Sequence, residues 1–312
     1  MSVKCAFLFA GQGSQAVGMG KNFFENSEVA KAMVADASSR TGIDFEQLLF
    51  EENDNLGQTE FTQPAILLVA TIAHKLFTDA MDIKPVLTMG HSLGEFSALV
   101  ASGALDAIDA VELVNLRGKL MAEACSTQEV GMMVSLGLKD EVVEKICQEQ
   151  RDVGLKVWAV NYNADGQIVI AGIKKDLETL APILKEAKAK RAILLDMSVA
   201  SHCPLLATAV EPLSVKLNEI IKDEFIAPVI SNVTAEKYST KEEALELLAK
   251  QLVEPVKYKH SMANIDDEVD CYIEFGQGAV LKGLNRKATK KPHFNVSDMA
   301  SLEATIEAIK AL

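Results

Sequence analysis

The chain has 312 residues, 49% of them hydrophobic, 24% charged and 5% aromatic, with a formal net charge of −13 and a pI near 4.9. That composition belongs to a globular protein with a large core, not to a disordered, collagenous or membrane-spanning chain. An acidic surface repels phosphate backbones and anionic headgroups, so neither nucleic acid nor membrane is an expected partner.

Five scattered cysteines, without C-x-x-C spacing, suggest neither a disulfide framework nor a zinc site. The opening "MSVKCAFLFAGQG" breaks its apolar run at Gly11, too early for a signal peptide, and reads as a first strand. A cytoplasmic protein is expected.

Along the chain, short apolar runs alternate with helical patterns, which predicts an α/β fold built on a largely parallel sheet. "CAFLFAG" is a buried strand, and "FAGQGSQ" a glycine-rich loop after it. "TQPAILLVATIAHKLFTDAM" is a deeply buried helix with Pro64 in its first turn. "PVLTMG" is a strand running into Gly90-His91-Ser92-Leu93-Gly94, and "LGEFSALVASG" the helix behind it. Asp106 caps the next helix. Residues 130–196 then change rhythm to βαββαβ, the ferredoxin-like arrangement. This predicts a subdomain at 130–196 inserted into a core made of 1–129 and 197–312.

G-x-S-x-G between an apolar strand and an amphipathic helix is the pattern of a nucleophile elbow, with Ser92 as nucleophile. His91 reads as a packing residue pointing away from Ser92. Of the other histidines, His74 lies in an apolar helix, while His260 and His293 read as surface. His202, in "SVASHCP" where the chain re-enters the core, stands where a base is expected. An Asp or Glu to orient it is not evident, and a backbone carbonyl could serve instead.

Gly11 to Ala16 fits G-x-G-x-x-A, but the nearest acidic residue at the right distance, Asp36, lies within a helical pattern rather than at a strand end. That argues against a dinucleotide site. The alternative use of the loop is to supply backbone N–H groups to an oxyanion hole with Leu93. Arg117 sits on the apolar stripe of its helix, among Leu113, Val114, Leu120 and Met121. A guanidinium there needs an anion or several acceptors, by an internal ion pair or by a substrate carboxylate.

Taken together, "FAGQGSQ", "FTQPAI", "GHSLGEFSAL", "LVNLRGKLM", "GQIVIAG", "SVASHCPL" and "QLVEPVKY" resemble the malonyl-CoA:acyl carrier protein transacylases, in family order and over nearly the whole chain. Ala10, Ala200 and "FGQG" stand where that family commonly has proline or Gly-Pro-Gly. The resemblance implies an α/β-hydrolase-like core with the inserted ferredoxin-like subdomain. It also implies Ser92 as the acylated residue and His202 as its base. Gln12 and Leu93 N–H groups would form the oxyanion hole. Arg117 would hold the malonyl carboxylate with Met121 lining the pocket, and the backbone carbonyl of Gln251 would orient His202. Malonyl-CoA and holo acyl carrier protein would be the partners, with no metal or organic cofactor. The one basic run, Lys282, Arg286, Lys287, Lys290 and Lys291, reads by itself as a solvated helix face; against an acidic carrier it becomes a candidate docking patch. The rival readings are a related enzyme loading another carboxyacyl group, a serine thioesterase, and a non-catalytic binding module.

Overall fold

The computed structural model describes residues 3–312. Its larger sheet has six strands in the order β10-β9-β1-β2-β7-β8. They are β1 (Cys5–Phe9), β2 (Leu87–Gly90), β7 (Val229–Ile230), β8 (Lys237–Tyr238), β9 (Cys271–Phe275) and β10 (His293–Val296). All pairings are parallel except β7 with β8. β1 lies near the middle, and every residue of "CAFLF" has zero exposure, as a parallel strand covered on both faces requires. The smaller sheet is antiparallel, ordered β4-β5-β3-β6, from β3 (Val130–Leu136), β4 (Val157–Ala164), β5 (Gln167–Ile173) and β6 (Arg191–Leu194). With helices at Asp140–Asp152 and Lys174–Glu186 it reproduces the expected βαββαβ order. The α/β class and both sheets thus agree with the sequence pattern.

Register places the site. Phe9 pairs with Gly90, so the glycine-rich loop after β1 and the elbow after β2 leave the sheet side by side, at the carboxyl ends of parallel strands. The His91 N–H donates to the Phe9 carbonyl at 3.0 Å and ties the two exits together.

Three local readings need correction. The buried helix runs Thr59–Ala80, so Pro64 lies inside it and not in its first turn. A proline there cannot donate to the carbonyl four residues back, and the Asn115 side-chain amide donates to that Glu60 carbonyl instead, at 2.8 Å. Asp106 does precede the Ala107–Cys125 helix, but its carboxylate accepts from Lys222 Nζ at 2.6 Å and makes no capping bond. His293 is not a surface residue: it lies on β10 with its side chain 6% exposed, 3.6 Å from the buried Glu274. The strands β8 and β10 are too short, two and four residues, to show a pattern of their own. Among the described residues no helix is long and apolar enough to cross a membrane.

Candidate active site

Ser92 sits at the elbow with φ of 52°, a left-handed conformation costing roughly 1–3 kcal/mol for a non-glycine residue. The flanking glycines are what make the turn possible. A Cβ on Gly90 would stand 1.9 Å from the Gly94 carbonyl carbon, and one on Gly94 would stand 2.0 Å from the Phe9 oxygen. The turn is also held from outside: the Ser92 N–H donates to Asn232 Oδ1 at 2.6 Å, and Asn232 Nδ2 donates to the Gly90 carbonyl at 2.7 Å.

His202, which also has a positive φ of 62°, brings its Nε2 to 2.7 Å from Ser92 Oγ. Its Nδ1 lies 2.6 Å from the backbone oxygen of Gln251. A carbonyl can only accept, so Nδ1 carries the hydrogen and Nε2 is left with a lone pair facing the serine. Burial holds His202 down to about 3, with the nearby Arg117 charge pushing the same way. The imidazole is therefore neutral at physiological pH and free to take the serine proton.

Arg117 is 1% exposed, as its place on the apolar stripe predicts. Its Nη1 donates to Gln63 Oε1 at 2.7 Å, its Nη2 to Gln251 Oε1 at 3.0 Å, and the same Nη2 lies 3.4 Å from Ser92 Oγ. The guanidinium stands 5.3 Å from the centre of the Phe96 ring. Its Nε is buried without a partner. Burial lowers Arg117 to about 10, which leaves it charged. Glu95, fully buried one helical turn from the serine, is the nearby carboxylate. Burial raises it to about 7, against the pull of Gln251, Asn232, Tyr238 and Arg117. No direct ion pair joins the two: Gln251 stands between them, its Nε2 donating to Glu95 Oε2 at 2.7 Å.

A cavity of about 200 Å³ opens over the serine. Gln12, His91, Ser92 and His202 line it from the larger unit, Met132, Asn163 and Val169 from the smaller sheet, and Leu281 and Leu284 from the Val280–Asn285 helix. Neither the Gln12 nor the Leu93 N–H donates to a backbone or side-chain acceptor within the described residues. His91 is not turned away into the core. It faces the cavity, and its Nε2 lies 2.7 Å from Asn163 Oδ1, bridging the two sheets.

Ser92, His202, Arg117, Gln251, Gln12 and Leu93 are thus brought together. Met121 is buried behind them: its sulfur accepts from Gln63 Nε2 at 3.4 Å, and it is not among the cavity-lining residues. Lys282, Arg286, Lys287 and Lys290 are exposed on and after the Val280–Asn285 helix. Lys291 does not join them, because its ammonium is folded onto the backbone carbonyls of Asp266 and Val269. The sequence patterns do not single out Gln63, Glu95, Asn163 or Asn232. Glu95 carries the same signal as Arg117, a charge in an otherwise apolar helix.

The model of the acyl transferase domain family matches residues 6–306. The malonyl CoA-acyl carrier protein transacylase of Bacillus subtilis is 39% identical over 311 residues, covering 98% of each chain. The chain belongs to the acyl transferase family, among its malonyl-CoA:acyl carrier protein transacylases. The crystal structure of the Helicobacter pylori transacylase superposes with a TM-score of 0.96 at 44% identity, covering 99% of both chains. A malonyl-transacylase solved in complex with a type II polyketide synthase acyl carrier protein matches with a TM-score of 0.93 at 36% identity, over 98% of this chain and 99% of that one. These transacylases share both sheets of the present fold.

Proposed function

We propose that this protein transfers a malonyl group from malonyl-CoA to the phosphopantetheine thiol of acyl carrier protein through a malonyl-serine intermediate at Ser92, supplying fatty acid elongation. The observation that carries the reading is a serine and a neutral histidine 2.7 Å apart, with a buried guanidinium 3.4 Å from the same hydroxyl. A plain esterase has no use for that third group, whereas an acyl chain ending in a carboxylate does.

In the first half-reaction Ser92 Oγ attacks the thioester carbonyl as its proton passes to His202 Nε2. The oxyanion that forms takes hydrogen bonds from the Gln12 and Leu93 N–H groups. The C–S bond breaks and His202 returns the proton to the departing CoA sulfur. In the second half the carrier's thiol gives its proton to His202 and its sulfur attacks the acyl-serine. The C–O bond breaks and Ser92 Oγ recovers the proton. The malonyl carboxylate lies against Arg117 throughout, and Gln251 orients the histidine through its carbonyl.

Residues 130–196 act as an inserted unit that covers the serine. A second cavity of about 500 Å³ shares Asn163 and Leu284 with the first and reaches Lys287. It supports an approach for the pantetheine arm past that lysine, with Lys282, Arg286, Lys287 and Lys290 forming the face that meets an acidic carrier.

The test is an intact mass after mixing with malonyl-CoA alone. One malonyl group on the wild type, none on Ser92→Ala, and discharge on adding holo carrier protein are expected. Release of free malonate with no transfer to the carrier would replace the proposal with a hydrolase.

A further inference from the structure

Glu95 is placed where a carboxylate is costly. It has zero exposure, in the Gly94–Ala101 helix whose other side chains include Phe96, Ala98, Leu99 and Ala101. Burying a carboxylate without a direct ion-pair partner costs desolvation energy. The contacts of Glu95 point to its role. Oε2 accepts from the Asn232 N–H at 3.1 Å and from Gln251 Nε2 at 2.7 Å, while Oε1 has no hydrogen-bond partner. The Tyr238 hydroxyl adjoins Glu95 without the geometry of a hydrogen bond and is itself unpartnered.

The Gln251 side chain is the link. Its amide has a donor end and an acceptor end, and only one arrangement satisfies its surroundings. A carboxylate accepts and a guanidinium donates. The Nε2 end meets Glu95 Oε2 and the Ser92 backbone oxygen, at 2.7 and 3.0 Å, which turns Oε1 toward Arg117 Nη2 at 3.0 Å. The backbone oxygen of the same residue holds His202 Nδ1. Resting on the function proposed above, we infer that Glu95 is a positioning residue: by accepting from the Gln251 amide it fixes the Arg117 guanidinium in the orientation that selects a carboxylated acyl group.

Without an acceptor at position 95 the Gln251 amide is held on its donor side by the Ser92 carbonyl alone. It keeps its donor and acceptor ends in place but loses the shorter of its two anchors, so it can swing about the Ser92 carbonyl and draw Oε1 away from Arg117 Nη2. Gln63 would still hold the other end of the guanidinium, so the fork would tilt rather than leave the site. The predicted consequence is a loss of discrimination, not of the serine's reactivity.

The experiment compares Ser92 acylation by malonyl-CoA and acetyl-CoA in the full-length protein. In Glu95→Ala the malonyl-to-acetyl ratio of kcat/KM falls by roughly tenfold, through the malonyl KM, as expected for one coupled contact. Glu95→Gln retains an acceptor oxygen for Gln251 and can turn its NH₂ toward the Tyr238 hydroxyl, so its ratio stays within about threefold of wild type. Gln251→Leu keeps the backbone carbonyl and loses the bridge. It lowers the ratio like Glu95→Ala, and the double variant lowers it no further. An unchanged ratio in Glu95→Ala overturns the inference, as does a Glu95→Gln variant as impaired as Glu95→Ala. If Glu95→Ala does not fold, an unchanged ratio in Gln251→Leu overturns it. A wild-type protein that takes no malonyl group at all would instead overturn the proposed function.

Discussion

Replacing Arg117 by alanine isolates the group on which the proposed malonyl selectivity rests. In the free protein the guanidinium spends Nη1 on Gln63 and one Nη2 hydrogen on Gln251, with Nη2 also 3.4 Å from Ser92 Oγ and Nε unpartnered. A carboxylate arriving on the serine can therefore be met by hydrogens that are not already committed. A hydrogen bond to a charged group contributes about 1.5–3 kcal/mol. Two such bonds, less the desolvation of the incoming carboxylate, give about 2–4 kcal/mol. That corresponds to a loss of roughly 30- to 1000-fold in kcat/KM for malonyl-CoA. Acetyl-CoA has no carboxylate to lose, so its rate should hold or rise. The assay is the rate of CoA release in the first turnover with each thioester, followed by intact mass to show that the acyl group resides on Ser92. Arg117→Lys should recover only part of the loss, since an ammonium cannot reach both glutamines and the substrate as a planar fork does. If Arg117→Ala slowed malonyl-CoA and acetyl-CoA by the same factor, the guanidinium would be a structural support and the assignment would fail.

Asn115→Ala should destabilise the fold by about 1–3 kcal/mol, because it strips the Glu60 carbonyl of the donor that replaces the one missing at Pro64. In a Pro64→Ala background, where a backbone N–H is restored, the same substitution should cost less. Chemical denaturation of the four proteins checks this, and additive costs would refute the compensation. Charge reversal at Arg286 and Lys287 should raise the carrier's KM and flatten its salt dependence while leaving carrier protein bound to the enzyme discharging at an unchanged maximal rate. A carrier KM indifferent to both changes would remove the docking face.

The parts of this protein legible in its sequence are those whose signal is local. β1 is a continuous apolar run, the elbow announces itself by two glycines around a serine, and the βαββαβ unit completes each of its strands and helices within a few residues of the next. Arg117 was legible because a charge on an apolar stripe contradicts its own helix. Glu95 contradicts its helix in the same way, but it directly follows the elbow motif, which accounts for its neighbours and masks its own signal. Other features depend on partners far along the chain. The carbonyl that Pro64 leaves without a donor inside its helix is met by Asn115 from another helix. His91 faces the cavity because Asn163, on the smaller sheet, meets it there, and no spacing around residue 91 reveals that. Lys291 belongs to a basic run in sequence, but in the fold the carbonyls of Asp266 and Val269 hold its ammonium away from it.

The absence of a carboxylate beside His202 has a consequence for pH. An Asp at Nδ1 would raise the imidazole toward neutrality and place a negative charge close to a substrate that brings its own. The Gln251 carbonyl orients the ring without that charge, and the carboxylate the site does contain is set beyond the Gln251 amide, at Glu95. With its pKa lowered to about 3, His202 is already neutral at any pH well above that value. As pH falls from 8 to 5 the histidine stays unprotonated. Glu95, held near 7, gains a proton in this window. Its unpartnered Oε1 is the oxygen available for that proton, and Oε2 keeps the donors from Asn232 and Gln251. Malonyl loading should therefore show a flat kcat/KM between pH 8 and 5, read from first-turnover CoA release. An acid limb near 6.5, unmoved by Glu95→Gln, would mean that His202 titrates as an ordinary exposed histidine. A limb near 7 that disappears in Glu95→Gln would mean that the charge of Glu95, and not its acceptor oxygen, supports the reaction.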